Sequence, residues 1–284
     1  MSNLQKFNQT IANPRTQDYL MQLLGEKKSS FVNNLTALVS NNNQLQICDP
    51  LSVMYAGIRA TTLDLPLDTN LGFAYVIPFK NTKENKYDAQ FQIGYRGFIQ
   101  LAMRSGQFKT INVRDVKEGE VVAEDFVSGE IQFQKLEKDR EKAATIGYVA
   151  YFRLTNGFEK MSYMTKSELE AHGKRFSQTF KKGYGLWKDD FDSMASKTVL
   201  KLLLSKYAPL SIEMQNAIKS DQAIITDKEE VYIDNQNLSE NSQKAAEIIE
   251  MAFDEIECTD EIETEIESKH FKDDDKKEHQ LKLT

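Results

Sequence analysis

The chain has 284 residues, of which 28% are charged and 40% are hydrophobic, so it has room for one large domain or for one domain with an appendage. No window approaches the ~20 uncharged apolar residues that a membrane helix needs, and the N-terminal stretch lacks the basic start and apolar run of a secretory signal. The two cysteines and three histidines are too few and too scattered for a disulfide framework or a zinc-finger site. Composition therefore argues against membrane, secreted and zinc-finger proteins and favours the cytoplasm.

The charge is unevenly distributed along the chain. Residues 221–284 contain 20 acidic and 7 basic residues, a net charge of −13, which leaves +6 for residues 1–220. A basic body suits a polyanion, and an acidic tail would repel a polyanion or bind something else; the alternative is that the tail only keeps the chain soluble. We therefore predict a core at residues 1–220 and a flexible, largely disordered acidic tail at 221–284, in which Ala245–Phe253 forms a short helix.

The first elements are predicted to be helices. Residues 16–40 are predicted to form two short helices interrupted at Gly25, with Ser29 or Ser30 capping the second. Asp49 is expected to cap a further helix that begins at Pro50.

The middle of the chain alternates with period two, which is typical of strands. The Asn156-Gly157 pair is a strong hairpin turn signal, because both residues tolerate positive φ. A helix interrupts the strands at residues 95–106 and ends at Gly106. Strands are expected at residues 71–79, 89–94, 108–116, 120–127, 131–136, 145–154 and 158–164.

Helical patterns return after the strands. Ser167 with Glu170, or Thr165 with Glu168, fits a capping box, and a long helix is expected from Lys188 to about Tyr207. The order of helices, a mostly antiparallel sheet and further helices predicts an α+β fold.

Signatures of enzyme chemistry are missing from the sequence. It contains no phosphate-binding loop, no G-x-S-x-G and no H-E-x-x-H motif. Asp189, Asp190 and Asp192 could hold magnesium in a nuclease, but acids at a helix start also offset the helix dipole, and we favour that role. We expect no catalytic site and no required cofactor; magnesium is possible but is not indicated.

Two helices carry basic stripes. Arg96, Gln100 and Arg104 lie at i, i+4 and i+8 on one face of the first helix, and Lys197 and Lys201 lie at i, i+4 on the long helix. Like charges at this spacing repel each other, so a row without an acid suits an external anion. The alternative is a solvated face whose repulsion is screened by salt.

The segment between the two helices combines basic and aromatic residues. Residues 166–206 contain nine basic and five acidic residues, interleaved with rings. Cations that follow phosphates and rings on which bases stack are typical of binding to single-stranded nucleic acid without sequence preference. Phe180 and Tyr184 are the candidate stacking residues, whereas Trp187 and Phe191 are expected in the core.

Three separated segments resemble one known family. The segments are LPLDTNLGFAYVIPF (residues 65–79), AQFQIGYRGFIQLAMRSGQF (residues 89–108) and WKDDFDSMASKTVLKLLLSKYAPLSIEMQ (residues 187–215). In this order they resemble the RecT family of phage and prophage single-strand annealing recombinases, and the resemblance covers roughly residues 16–215.

The resemblance implies a function that the residues alone do not predict. It implies ATP-independent annealing of complementary single strands by a homo-oligomer, either a ring or a helical filament, in the cytoplasm of a bacterial host. It also implies a partner exonuclease and a host single-strand-binding protein contacted through the C-terminal region. The implied fold is a curved, mostly antiparallel sheet with a long helix that lines a basic groove.

These observations predict a DNA-binding groove walled by the two basic helices, with bases left free to pair with a second strand. The alternatives are a metal-dependent nuclease and a passive single-strand-binding protein of OB type, a small barrel against which the long helix argues. The predicted DNA-binding residues are Arg96, Gln100, Arg104, Lys109, Lys174, Arg175, Phe180, Lys181, Lys182, Tyr184, Lys188, Lys197 and Lys201.

Overall fold

The computed structural model describes residues 2–81, 85–125, 127–225 and 230–231. Helices at both ends of this region enclose antiparallel sheets, which confirms the predicted α+β class. The helix predicted at Ala245–Phe253 lies outside the described residues. The helices are α1 (Asn3–Ala12), α2 (Pro14–Leu24), α3 (Lys28–Ser40), α4 (Asn43–Gln46), α5 (Pro50–Thr62), α6 (Tyr95–Arg104), α7 (Lys166–Phe176), α8 (Gln178–Lys181), α9 (Leu186–Asp189), α10 (Phe191–Tyr207) and α11 (Ile212–Ser220).

Within the described residues the strands form three separate sheets instead of the single curved sheet that was expected. Their orders are β1-β2-β8-β9, β3-β6-β7 and β4-β5, with every pair antiparallel. These open sheets differ from the small barrel of an OB fold. The strands are β1 (Ala74–Asn81), β2 (Lys86–Ile93), β3 (Phe108–Lys117), β4 (Val121–Asp125), β5 (Glu130–Phe133), β6 (Thr145–Leu154), β7 (Glu159–Thr165), β8 (Ala223–Ile225) and β9 (Glu230–Val231).

Local capping signals decide where several helices begin. The Asp49 carboxylate accepts a hydrogen bond from the Ser52 amide at 3.1 Å and caps α5, as predicted. The capping box of α7 uses Thr165 and Glu168, the second of the two registers considered. The predicted cap of α3 is wrong, because a 3-10 turn after α2 leads directly into Lys28 and places both candidate serines inside the helix.

The start of the predicted tail belongs to the core. Strand β8 pairs with β2 through Gln90↔Ile224 and Phe91↔Ala223, and Asp221, Ala223 and Ile224 are buried. The boundary at residue 220 is therefore too early, because the short apolar run after α11 forms an inner strand of the sheet, between β2 and β9.

The long helix α10 packs against both the β3-β6-β7 sheet and α6. It begins at Phe191, because Asp190 leaves helical geometry and accepts a hydrogen bond from the Ser193 amide at 3.2 Å. The residues before it form the separate turn α9, which buries Trp187. The predicted helix start at Lys188 therefore lies inside α9, and the break between α9 and α10 is at Asp190.

Two glycines allow α6 to approach the chain that enters β1. A Cβ atom at Gly94 would clash with the carbonyl oxygen of Gly72, and one at Gly97 would clash with that of Phe73. The Gly94 amide donates a hydrogen bond to the Phe73 carbonyl at 3.0 Å. The first turn of α6 therefore lies directly against the start of the β1-β2 hairpin.

We predict that Gly97→Ala lowers the free energy of unfolding by about 1–3 kcal/mol, the usual cost of overpacking. Alanine is otherwise favoured over glycine inside a helix by about 1 kcal/mol, so the sign of the change separates backbone contact from helix propensity. Urea denaturation measures it, with Met103→Ala on the exposed face of α6 as the control. A stabilised Gly97→Ala protein would contradict the close approach.

Candidate nucleic-acid interface

A cavity of about 300 Å³ lies between the β1-β2 hairpin, the first turn of α6 and the α9–α10 junction. Tyr75 and Ile77 of β1 line the cavity together with Tyr95 and the exposed Arg96 of α6, and the beginning of α10 supplies Lys197 and its neighbours. Of the predicted residues, the cavity brings together Arg96 and Lys197 from the two basic helices.

The three segments that carry the family resemblance meet at this cavity. Every lining residue except Leu186 belongs to residues 65–79, 89–108 or 187–215. Segments so far apart in sequence converge here because the β1-β2 hairpin leads directly into α6, and α10 packs against α6.

The Arg96 side chain is exposed at the start of α6 and is held by a tyrosine. Its Nε donates a hydrogen bond to the Tyr95 hydroxyl at 3.3 Å, and its guanidinium lies 5.8 Å from the centre of the Tyr95 ring. Burial raises the pKa of Tyr75, while Arg96 opposes the shift. No acid forms an ion pair with Arg96 among the described residues, so its charge is available to an anion.

The predicted lysine row on α10 already has an anion. Lys197 Nζ lies 2.8 Å from one carboxylate oxygen of Asp221, and Lys201 Nζ lies 2.7 Å from the other. The Ile93 amide also donates to this carboxylate, at 2.9 Å. Lys197 is only 5% exposed. The expectation that the row lacks an acid is therefore wrong, and we assign Lys197 to the core.

This buried group of charges alters the pKa values of its members. Burial alone would raise the pKa of Asp221, but Lys197 and Lys201 outweigh it and hold the pKa below its usual value. Burial lowers the pKa of Lys197, and Asp221 opposes part of that shift. Because the Asp221 pKa is lowered on folding, its contribution to stability is present above the unfolded value of about 4 and is lost as the pH falls through the folded value.

The far end of the α6 stripe serves the fold. Both terminal nitrogens of Arg104 donate hydrogen bonds, one to the Leu63 carbonyl at 2.9 Å and the other to the Asp64 carbonyl at 2.7 Å. These are carbonyls at the end of α5, where the helix leaves its acceptors unsatisfied. Arg104 lies about 12 Å along the axis from Arg96, so the predicted arginine pair does not meet at the cavity. Gln100 is half-buried between them.

Several of the predicted basic side chains are exposed and form no ion pair within the part of the chain that the structure describes. Arg175 is also exposed, and its guanidinium lies 5.1 Å from the centre of the Phe176 ring. Helix α7 packs against α10, and burial, with Lys201 and Arg175, lowers the pKa of His172. The exposed lysines are Lys109, Lys174, Lys181, Lys182 and Lys188.

The two candidate stacking rings differ in their surroundings. The Phe180 ring is half-buried and packs against the core, and its centre lies 5.8 Å from the centre of the Trp187 ring. Only part of the ring surface is therefore accessible to a base. Tyr184 is 54% exposed and stays a candidate. The ring centres of Trp187 and Phe191 lie 5.6 Å apart; Trp187 is in the core, as expected, whereas Phe191 is half-buried and packs against the core.

The acidic cluster at the start of α10 has structural partners. Asp190 caps the helix, as predicted, and Asp192 accepts a hydrogen bond from the Tyr148 hydroxyl. Desolvation and this bond raise the pKa of Tyr148. Among the described residues, no group of three or more histidine, cysteine, aspartate or glutamate side chains is placed to hold a metal ion.

Sequence patterns did not identify three residues of the site. Tyr75 belongs to an apolar run and so resembles a core residue in sequence, but it is half-buried on the face of β1 opposite Ala74 and Val76. Tyr95 directly precedes Arg96, and an aromatic residue next to an arginine is a signal for the contact that these two side chains make. Asp221 contacts Lys197 across 24 residues of sequence, and no local spacing predicts that contact.

Comparison with known proteins identifies the same family that the three segments resemble. A sequence model of the RecT family matches residues 29–234. The chain is 43% identical over 210 residues to uncharacterized protein YqaK of Bacillus subtilis strain 168, an alignment that covers 73% of this chain and 69% of that protein. It is 35% identical over 178 residues to protein RecT of Escherichia coli K12, covering 62% and 64%.

These matches place the protein in the class of DNA-binding proteins that act in single-strand annealing and recombination. The chain belongs to the RecT family, so the resemblance predicted from the three segments is confirmed. None of the described helices is both long and apolar enough to cross a membrane.

We predict that Lys197→Ala lowers the free energy of unfolding by about 3–5 kcal/mol, the usual effect of breaking a buried ion pair. Lys201→Ala should have a smaller effect, because Lys201 is partly exposed. Lys188→Ala, at an exposed position, is the control and should leave the urea transition unchanged. Equal stability of Lys197→Ala and Lys188→Ala would contradict the assignment of Lys197 to the core.

Proposed function

We propose that this protein anneals complementary DNA single strands without ATP, acting as a homo-oligomer in homologous recombination. The strand lies in a cleft that begins at the cavity between α6 and α10. Family membership supports the annealing function, and the convergence of the three segments at one cavity supports the location.

The cleft holds the sugar–phosphate backbone through exposed cations. Arg96 contacts a phosphate at the mouth of the cavity, since its guanidinium is free of acids among the described residues. The exposed basic side chains of α7 to α9 and Lys109 extend the contact along the strand. Tyr184 offers a ring on which a base can stack. Because backbone contacts carry no sequence information, the protein accepts any strand.

Pairing itself supplies the free energy of the reaction. Each base step of duplex formed releases about 1.4 kcal/mol. The bound strand can therefore pass from the protein into the new duplex without nucleotide hydrolysis. Several subunits along one strand hold many bases ready for a second strand, which lowers the entropic cost of finding the correct register. The annealed duplex is the product.

The acidic C-terminal region is the proposed site for protein partners in the bacterial cytoplasm. Residues 235–284 carry a net charge of −9, which repels DNA and suits basic surfaces. An exonuclease that exposes single strands and a host single-strand-binding protein are the partners proposed for this region.

The direct test is the annealing of two complementary oligonucleotides in the absence of any nucleoside triphosphate. The protein should accelerate duplex formation above the spontaneous rate. A passive coating protein would slow it, and that outcome would contradict the proposal.

We predict that Arg96→Ala weakens binding to all single-stranded sequences and reduces the slope of log K against log salt by about 0.7, the value for one phosphate contact with a single strand. Arg153→Ala is the matched control, because the Arg153 Nε donates a hydrogen bond to the Glu159 carboxylate at 2.6 Å. The salt slope of the Arg153→Ala protein should equal that of the native protein. Fluorescence anisotropy across a salt series measures both. An unchanged slope for Arg96→Ala would remove this residue from the interface.

We also predict that a chain ending at Asp234 keeps its fold and binds single-stranded DNA more tightly, since a net charge of −9 is removed. Residues 1–234 form one compact unit that retains Asp221 and β8. A chain ending at Ser220 is the contrasting control and should lose stability, because it lacks the Asp221 carboxylate. Weaker DNA binding by the 1–234 chain would show that the tail contributes to the interface.

A further inference from the structure

The interior of the cavity differs in charge from its mouth. Arg96 is exposed to solvent, whereas Lys197, the other basic residue of the lining, is buried and is neutralised by Asp221 at 2.8 Å. Asp190 adds a negative charge nearby. A phosphate is attracted to the mouth and has no free cation to bind farther inside, among the residues described.

The remaining walls suit a flat, neutral, partly polar group. Tyr75 and Tyr95 contribute aromatic rings, and Ile77 and Met194 contribute apolar surface. Gln92 and Ser193 place an amide and a hydroxyl among them. Apolar walls with a few hydrogen-bonding groups are typical of sites that bind small organic ligands, and an unstacked nucleobase has this combination of flat faces and polar edges.

The size of the cavity limits what can enter. A volume of about 300 Å³ is at the lower limit of ordinary ligand sites, so the space accommodates one base instead of a stack. A base that enters must leave its stacked neighbours, and the backbone at that nucleotide then passes the mouth, where Arg96 lies.

We propose that this cavity binds one unstacked nucleobase of the single strand, while Arg96 holds an adjacent phosphate. The inference rests on the proposed function and identifies the part of the strand that its site recognises. The bound base is withheld from pairing while the other bases remain accessible, and it leaves the cavity when the second strand arrives. Each subunit thereby fixes the strand at one point without reading sequence, because tyrosine faces stack with any base.

The test compares a thymidine oligonucleotide with a strand of equal length in which every base is replaced by an abasic tetrahydrofuran residue. Both strands keep the phosphates. The native full-length protein should bind the abasic strand at least several-fold more weakly. Ser193→Phe, which fills the cavity, should weaken binding of the thymidine strand and narrow that difference.

The matched control is Ser205→Phe, which adds the same ring to an exposed position of the same helix and should keep the native difference. A second variant, Tyr75→Leu, removes a ring from the cavity wall without changing charge. It should also narrow the difference in affinity between the thymidine and abasic strands, and it replaces Ser193→Phe as the test if that protein does not fold. Circular dichroism verifies folding of each protein.

An independent measurement uses 2-aminopurine at successive positions of an oligonucleotide bound to the native protein. A recurring subset of positions should be protected from acrylamide quenching. Equal affinity for the two strands, or an undiminished difference in both folded cavity variants, would overturn the inference while leaving DNA binding intact. Failure to bind either strand would overturn the proposed function together with it.

Discussion

The Asp221 carboxylate lies between two ammonium groups and a backbone amide, and the position of α10 depends on these contacts. Lys197 and Lys201 approach it from α10, and the Ile93 amide approaches from the end of β2, immediately before α6. Buried charges are costly unless they are paired and hydrogen-bonded, so the three contacts leave little freedom in how these elements meet. Since Ile93 precedes Gly94, the same carboxylate determines where the first turn of α6 stands relative to α10.

The cavity between α6 and α10 supports the proposal of two kinds of recognition. Of the two basic residues that line the cavity, Arg96 is exposed to solvent, and Lys197 is buried and neutralised by Asp221 beside the lining tyrosines. In the function that we propose, long-range electrostatics attract phosphates to Arg96, whereas a base enters the cavity through stacking and desolvation. Neither interaction depends on base identity, which is what an annealing protein requires, because complementarity then resides in the two DNA strands.

Local patterns predicted much of this fold. Alternation predicted the strands that form β1 and β2, Asp49 predicted the start of α5, and Thr165 with Glu168 was one of two predicted capping boxes for α7. Each of these signals acts within one element or one turn. The apolar face of α6 similarly indicated which side carries Arg96.

The errors came from contacts between distant parts of the chain. The lysine row on α10 appeared to need an external anion because its partner, Asp221, lies beyond another helix. Residues after 220 were assigned to the acidic tail because composition changes there, yet Ala223 and Ile224 complete the sheet. Arg104 resembled a DNA contact because its acceptors are backbone carbonyls, which residue types do not reveal.

The most direct test of the central claim is cross-linking from within the cleft. A photoreactive benzoylphenylalanine replaces Leu186, which lines the cavity and is 39% exposed; the same residue at Val127, 92% exposed at the tip of the β4-β5 hairpin, is the control. The account predicts that single-stranded DNA cross-links to position 186 far more than to position 127, and that high salt abolishes the product. Cross-linking at position 127 with none at position 186 would contradict it.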